Sequence, residues 1–592
     1  MSKLLELIPN PDAAREALLR LFSEHSGIYS VYTMCARVVL ALLAVIIVVR
    51  CIRSLMSGKP EMETWCYLDV PSQGLHLPIS HWENVIGRSR NSDIRLDYPT
   101  VSRIHAALIR KADGWRITDL NSANGITVDG KAIEKETETA IRCGEEFAVG
   151  GIKAVLRPLS KDEELKSENR TKPGREIKPS FTLYLMTVFQ IVMAAQLSLI
   201  MREEFTWAIP IGFALMSIVM WIYFATFRVF KRTGFEIDFI AFFLSSVGMA
   251  ITASSEPSGI IKQLVAFIAG LIVFVVLCWC LRDLDFACSL RWLMAAGTVG
   301  LLLLTIVAGK TVYGALNWIY IGGMSIQPSE LAKLTFVFAG SATLDRLFAK
   351  RNIALYLVLT AICAAALAYM NDFGAVIIFF AAFLVVAYLR SGSIATVSLI
   401  TAAAGFGGLI VLKFKPYIAA RFATWMHAWE FAHDGGFQQT RTMSAAASGG
   451  LFGVGAGGGW LKTIPAADTD LVFGMVSEEH GLIIAVCIVA CICTLAIFSA
   501  RSAATSRSSF YTIAACAATS MLVFQMSLNI FGSVDILPLT GVTLPFISNG
   551  GSSLISSFGL LAFVKAVDTR QNASFATQLQ KSVLKRTGRQ RR

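Results

Sequence analysis

The sequence predicts a polytopic α-helical membrane protein of about thirteen spans with a small all-β domain near its start. Three observations predict it. Of 592 residues, 55% are hydrophobic and 16% charged, and the mean hydropathy of +0.59 is one that a water-soluble chain of this length does not carry. Apolar runs of about 17 to 25 residues recur through the second half, each long enough to cross about 30 Å of hydrocarbon as a helix, and helices rather than a barrel are implied. Between about Glu61 and Leu159 the pattern changes to short alternating runs such as "WRITDL", "ITVDG" and "FAVGGIKAVLR", broken by Gly, Asn and Asp turns.

Taken in order, Met1 to Ser30 is polar, with helical character through "DAAREALLRLF". The run "VYTMCARVVLALLAVIIVVR" follows and reads as one span interrupted by Arg37. It is no cleavable signal peptide, because a long polar start precedes it and no small-residue cleavage site follows Val38 to Val49. After the β domain, "SKDEELKSENRTKPGREIKPS" has no core-forming residues and reads as a tether. Twelve spans are expected beyond it, at roughly 180–200, 207–227, 236–253, 260–280, 290–308, 329–347, 352–370, 373–389, 393–412, 473–498, 510–530 and 551–567. The clusters "RVFKR", "RLFAKR", "RSAATSR" and "KRTGRQRR" mark the cytoplasmic side. Thirteen spans then put the β domain and C-terminus inside, the N-terminus outside, and two long loops, 309–328 and 413–472, on the outer face. The net charge of +12 is accounted for by these basic turns, so nucleic acid is not an expected partner. Most of the twelve cysteines lie inside spans (Cys278, Cys280, Cys363, Cys487, Cys491, Cys493, Cys516), with Cys66 and Cys143 in the β domain. They read as small packing residues, with neither a disulfide framework nor metal-ligand spacing, and no metal ligand is assigned.

Within the β domain, Gly87-Arg88, Ser102-Arg103-x-His105 and Asn124-Gly125 occur in order and at fitting spacing. The segment resembles the forkhead-associated (FHA) domain over nearly its full length. That resemblance implies a β-sandwich that binds phosphothreonine peptides with loop residues at one end. Arg88 and Ser102 would hold the phosphate, with Arg103 beside them, Asn124 would bond the peptide backbone, and His105 would be structural. The chemistry agrees, since a phosphate carries nearly two negative charges and several acceptor oxygens. Ala123 stands where the family commonly has Thr, which removes a hydroxyl from the binding edge.

In the membrane region, acids at the ends of spans suggest a transporter, a channel or an enzyme acting on a lipid-linked substrate. Asp470, in "DTDLVF", has two readings: a helix N-cap, which spacing alone favours, or a carboxylate whose desolvation raises its pKa toward that of a base. Four motifs go further: "GALNWIYIGGMSIQPSELAKL" (314–334), "NDFGAV" (371–376), "SGGLFGVGAGGGWLKTIPAADTDLVFGMVSEEHGL" (448–482) and "LPLTGVTLPFISNGGSSLI" (537–555). From about Phe235 to Val567 the chain resembles the SEDS family, the RodA, FtsW and SpoVE proteins.

The resemblance implies a ten-span core that polymerises lipid II into glycan strands outside the cytoplasmic membrane, usually with a class B penicillin-binding protein transpeptidase. Asp470 would be the catalytic acid, and Glu330, Lys333 and Asp372 would line the substrate cavity, with an ion pair and a helix cap as their plainer roles. Arg421 and Arg441 are chosen for the pyrophosphate because Arg binds phosphate oxygens bidentately. Glu478 and Glu479 are expected in the bundle interior as helix packing partners, and Asp468, where the family usually has His, as a loop residue. Asn317 stands where the family often has Arg, and Asn549 where it has Tyr. "GVGAGGG" follows no strand and is rejected as a dinucleotide loop. The cofactor is left open, a divalent cation included.

The expected domains are 1–58 with one span, the FHA-like domain 59–160, the linker 161–179, an extra pair of spans at 180–234, the SEDS-like domain 235–568 and a basic cytoplasmic tail 569–592. The expected partners are lipid II, the transpeptidase, a threonine-phosphorylated protein at the FHA domain, and membrane lipid. Two other functions are a lipid II flippase, which would not require Asp470, and an inactive scaffold that recruits a transpeptidase.

Overall fold

The structure, a computed structural model, describes residues 26–57, 64–89, 92–111, 114–164, 178–201, 205–312, 314–321, 324–342, 350–570 and 573. The helix expected at "DAAREALLRLF", most of the linker and most of the basic tail lie outside the described residues.

A long helix, α1 (Ser26–Ser57), precedes a β-sandwich. Its strands are β1 (Cys66–Val70), β2 (Leu75–Ile79), β3 (Glu83–Gly87), β4 (Ile94–Arg95), β5 (Ala106–Lys111), β6 (Gly114–Asp119), β7 (Ile126–Val128), β8 (Lys131–Ala132), β9 (Glu138–Ile141), β10 (Glu146–Val149) and β11 (Ile152–Pro158). They form two sheets, β2-β1-β11-β10-β7-β8 and β4-β3-β5-β6-β9. Alternation along the strands turns Leu68, Val70, Ile86, Leu108, Ile117, Phe147 and Leu156 inward to a shared core.

The helices that follow are α2 (Pro179–Ile200), α3 (Ala208–Val229), α4 (Glu236–Ser255), α5 (Ile260–Cys280), α6 (Leu284–Ser289), α7 (Arg291–Ala308), α8 (Pro328–Ala342), α9 (Lys350–Tyr369), α10 (Phe373–Ser391), α11 (Ile394–Phe414), α12 (Pro416–Thr424), α13 (Phe437–Gly449), α14 (Val472–Glu479), α15 (Gly481–Ala503), α16 (Ser509–Ser533) and α17 (Gly551–Ala566). Among the described residues, ten helices are long and apolar enough to cross a membrane, and residues 353–369 and 551–566 form shorter apolar helices. Each of the thirteen expected spans has a helix in its place. Helix α4, buried throughout its span, is central; α17 packs on α5, and α16 packs on α10, α15 and α17. Helices α1 and α2, preceding the family-like region, pack against α4, and α1 also against α15.

Two segments depart from expectation. The span expected at 473–498 is broken: α14 ends at Glu479, His480 caps it, and Gly481 takes φ +85° with the Leu451 carbonyl where a Cβ would stand. The loop expected at 309–328 instead contains a three-stranded sheet of β12 (Lys310–Val312), β13 (Ala315–Ile321) and β14 (Met324–Ile326).

At one end of the bundle the sandwich docks on the α15–α16 turn. The Trp82 N–H donates to the Arg507 carbonyl at 2.6 Å, and His81 Nδ1 lies 2.7 Å from the Ser506 carbonyl. The hydroxyls of Ser508 and Ser509 donate to the two carboxylate oxygens of Glu83. The Trp82 ring packs edge-on against Trp65 and Tyr511 and joins the core of the bundle. At the same end a buried ion cluster pairs Arg232 with Asp238 at 2.8 Å, and Arg570 with both Asp568 at 2.8 Å and Glu236 at 3.0 Å. It fastens the start of α4 to the residues after α17.

Candidate active site

Asp470 lies at the opposite end of the bundle, in a tight turn before α14. Ala466, at φ +59°, accepts from the Asp470 N–H at 2.9 Å. The helix cap is Leu471, and no side chain accepts from the first turn of α14. The cap reading of Asp470 is therefore corrected: the turn places its carboxylate before the helix axis rather than over the free N–H groups. Gly541, at φ +70°, passes over the carboxylate so closely that a Cβ there would stand 3.2 Å from Oδ2. Burial pushes the Asp470 carboxyl up to about 6, against the Thr469 hydrogen bond and the Arg421 guanidinium, with Asp468 and Asp372 adding to the rise.

Asp372 is a helix cap, as its plainer reading had it, and also reaches a neighbour. Oδ1 accepts from the Ala375 N–H at 3.0 Å at the start of α10, and Oδ2 accepts from Asn317 Nδ2 at 3.0 Å. Burial raises this carboxyl too. Asn317, on β13, is thus the residue through which the unexpected sheet meets the acids.

On α8, Lys333 Nζ donates to Glu330 Oε1 at 2.7 Å and to Gln525 Oε1 at 2.9 Å, with Lys333 only 1% exposed. Gln525 Nε2 donates in turn to Thr543 Oγ1 at 2.9 Å, and Thr543 bonds Ser553 at 2.8 Å. One turn along α16, Asn529 Nδ2 donates to the carbonyls of Val542 at 2.7 Å and Asp470 at 3.0 Å.

The cations divide. Arg421 on α12 acts on Asp470 through its charge and donates to the Leu539 carbonyl at 3.0 Å. Lys415 bonds Asn371 Oδ1, next to Asp372, at 3.1 Å. Arg441 lies over the Phe437 ring on α13, and no contact among the described residues joins it to Asp470.

Glu478 and Glu479 are buried, as expected, and most of their bonds go to a loop, while Glu479 also reaches helix α4 through Ser254. Glu478 accepts from the N–H groups of Trp460 at 2.9 Å and Leu461 at 3.0 Å. Glu479 accepts from Gly457 N–H at 2.9 Å and from the Ser254 hydroxyl. The glycine-rich loop therefore binds the chain's own carboxylates. Asp468 ties loops together: its Oδ2 accepts from Asn549 Nδ2 at 2.8 Å, and its carbonyl from the Asn549 N–H at 2.9 Å.

In the sandwich, Arg88, Ser102, Arg103 and Asn124 gather at one end. The Arg88 N–H donates to the Ser102 carbonyl at 3.0 Å, and Ser102 Oγ accepts from the Ala123 N–H at 3.1 Å. Asn124 Nδ2 donates to the Thr100 carbonyl at 2.7 Å. His105, fully buried, accepts from the Ser102 N–H at 3.0 Å and lies 3.0 Å from the Gly125 carbonyl, so it braces both loops. Gly87 admits no side chain, because a Cβ would overlap the Arg103 carbonyl. The side chains of Arg88 and Arg103 are exposed.

Sequence reasoning did not single out Asn529 or Gln525. The available signal was two amides four residues apart inside the apolar run "MLVFQMSLNIF". Among the described residues no group of three or more His, Cys, Asp or Glu side chains could hold a metal ion.

Residues 223–573 match the FtsW/RodA/SpoVE family described as cell cycle protein, and residues 84–150 match the FHA domain. The peptidoglycan glycosyltransferase RodA of Mycobacterium bovis is 30% identical over 270 residues, 43% of this chain and 58% of its own length. The probable peptidoglycan glycosyltransferase FtsW of Pseudoalteromonas translucida is 32% identical over 301 residues, 48% of this chain and 75% of its own length. A solved chain from a peptidoglycan synthase complex that coordinates polymerization and crosslinking is 26% identical, with a TM-score of 0.47, over 56% of this chain and 96% of its own. The chain thus spans 58% of the length of the mycobacterial RodA it matches.

Proposed function

The chain belongs to the FtsW/RodA/SpoVE family and is a bacterial membrane protein, and from that premise we propose that it is a peptidoglycan glycosyltransferase polymerising lipid II. The observation that carries the reading is Asp470: a partly buried carboxylate that does not cap its helix, raised to about 6, with Arg421 and Asp372 acting on it through their charges. In the proposed reaction the 4-hydroxyl oxygen of a GlcNAc attacks the anomeric carbon of the growing strand. The new C–O bond forms as the bond to undecaprenyl pyrophosphate breaks, and the hydroxyl proton passes to Asp470. Arg421 is the cation best placed for the departing pyrophosphate, and Arg441 is retained as a second candidate. Glu330, Lys333 and Asp372 line the cavity for the lipid-linked substrate.

This end of the bundle faces outward, and the FHA domain and C-terminus are cytoplasmic. The domain limits 1–58, 59–160, 161–179, 180–234, 235–568 and 569–592 are retained in this reading. The sandwich binds a threonine-phosphorylated protein through Arg88, Ser102, Arg103 and Asn124. Ser102 is suited to this because its Oγ already accepts from Ala123 and its hydroxyl hydrogen remains for a phosphate oxygen. A class B transpeptidase is the proposed partner. Purified protein given labelled lipid II is expected to make glycan strands, and Asp470→Ala is expected to make none. Equal product from Asp470→Ala and wild type overturns the assigned role, and a flippase tolerates that substitution.

A further inference from the structure

Two amides on one face of α16 each hold a charged residue of the site and each hold the same loop. Gln525 accepts from Lys333 Nζ at 2.9 Å and donates to Thr543 Oγ1 at 2.9 Å. Asn529, four residues on, donates to the Asp470 carbonyl at 3.0 Å, the neighbouring Thr469 carbonyl at 3.5 Å and the Val542 carbonyl at 2.7 Å. Both side chains are 1% exposed. Residues four apart on a helix face the same way, so the pair forms one surface. Val542 and Thr543 are consecutive, and Gly541 just before them covers the Asp470 carboxylate. Ser548 completes the arrangement: its Oγ donates to the Thr469 carbonyl at 2.7 Å while accepting from the Leu544 N–H at 2.8 Å.

We propose that Gln525 and Asn529 are positioning residues for the transfer reaction: through the loop 540–544 they set the Lys333 ammonium and the Asp470 carboxylate in register with each other. The inference rests on the glycosyltransferase reading. The Asp470 side chain leaves a backbone whose carbonyl is fixed by Asn529 and whose turn is fixed by Ala466, which leaves the carboxylate its own side-chain torsions and little else. Such groups are otherwise paired at a cost, because a buried amide in a span must find partners, and here all the partners belong to the site. A misplacement of about 1 Å at a reacting group lowers a rate on the order of a hundredfold.

The test uses substitutions of equal shape and opposite hydrogen-bonding sense in the purified full-length protein given lipid II. Asn529→Asp keeps the volume and loses the donated bonds, so kcat is expected to fall on the order of tenfold to a hundredfold with KM within about threefold. Gln525→Glu keeps the acceptor for Lys333 and is expected to retain more activity than Gln525→Leu. Because Asn529→Asp also buries a carboxylate beside Asp470, Asn529→Leu, which keeps the bulk without a charge, is made with it: a packing role alone predicts no loss in Asn529→Leu, and wild-type kcat in Asn529→Leu overturns the proposal. Hydrogen exchange on the same proteins reads positioning without turnover: residues 464–471 and 540–544 are expected to exchange faster in Asn529→Asp, and unchanged exchange overturns the proposal. If wild-type protein makes no strands, the glycosyltransferase reading falls and the catalytic part of the inference with it, while the exchange result separately decides whether Asn529 fixes the Asp470 turn and the loop 540–544.

Discussion

Asp470 holds its proton to higher pH than an exposed aspartate because burial disfavours its charged form more than Arg421 and Thr469 favour it. If it is the base, only the ionised form works, so kcat/KM for strand synthesis should rise with pH up to about 6 and level off above it. A profile flat from pH 5 to 8 would remove it from that role. The same shift has a stability sign. A carboxyl whose folded pKa is raised binds its proton more tightly folded than unfolded, so ionisation works against the fold above the unfolded value of about 4 and fully so above the folded one. Asp470→Asn is therefore expected to stabilise the fold at pH 8 by no more than about 3 kcal/mol, read as a rise in Tm, while abolishing synthesis. At this scale the sequence spoke unevenly. Asp372 could be read as a cap because a side-chain oxygen one residue before a helix has few other uses. For Asp470, spacing alone favoured a cap over the catalytic carboxylate that the resemblance implied, because the Ala466 turn that leaves Leu471 as the cap, with its left-handed backbone, has no signature in residue type. Glu330 and Lys333 could be paired from their spacing, but their burial, and so the cost of removing one charge alone, came only from the packing around them.

The glycine-rich loop and the two acids at the end of α14 form one element. Gly453, at φ +78°, and Gly449 let the chain pass against the backbone of residues 477–480, where side chains would overlap carbonyls. The carboxylates of Glu478 and Glu479 then satisfy the N–H groups that this close passage turns inward. Glu478→Ala leaves two buried N–H groups without acceptors, each worth about 1–3 kcal/mol, so it is expected to lower stability by at least about 2 kcal/mol. Glu478→Gln, which keeps one carbonyl acceptor, should lower it less. Thermal unfolding in detergent separates the two, and equal Tm values for Glu478→Ala and wild type would show that the loop is held by other means. Long apolar helices were readable because their period and length are set locally, and the sandwich because alternation is strict. The β12–β14 sheet was not, since its strands are short and stand by packing on α7, α8 and α17 and by the bond from Leu316 N–H to the Met370 carbonyl. The break at Gly481 follows the polar stretch "SEEH" (477–480), but acids inside a span also read as buried packing partners, and only the positive φ of Gly481 shows that the helix stops there.

At the scale of the molecule, the sandwich and the site stand at opposite ends of the same helix. Ser508 caps α16 and is itself held by Glu83, and Asn529 lies twenty-one residues further along, about 30 Å at 1.5 Å per residue. Helix α15 leaves the same docked turn and runs back to Glu479. A phosphoprotein bound at Arg88 and Ser102 therefore has a rigid route to Asp470, but only if the turn at 504–508 moves with the sandwich. Trp82 is the contact on which that depends, since its ring lies in the core of the bundle while the strand that begins at the next residue, β3, lies in the sandwich. Trp82→Ala is expected to leave the affinity for a phosphothreonine peptide unchanged, because Trp82 precedes β3 while Arg88 follows its other end, and among the described residues no hydrogen bond or ring contact joins it to Ser102 or Asn124. It is expected to abolish any change that the peptide produces in hydrogen exchange at 504–512 or in the rate of strand synthesis. If the peptide changes the rate equally in Trp82→Ala and wild type, the signal travels by another path, and the docked turn serves only to hold the sandwich in place.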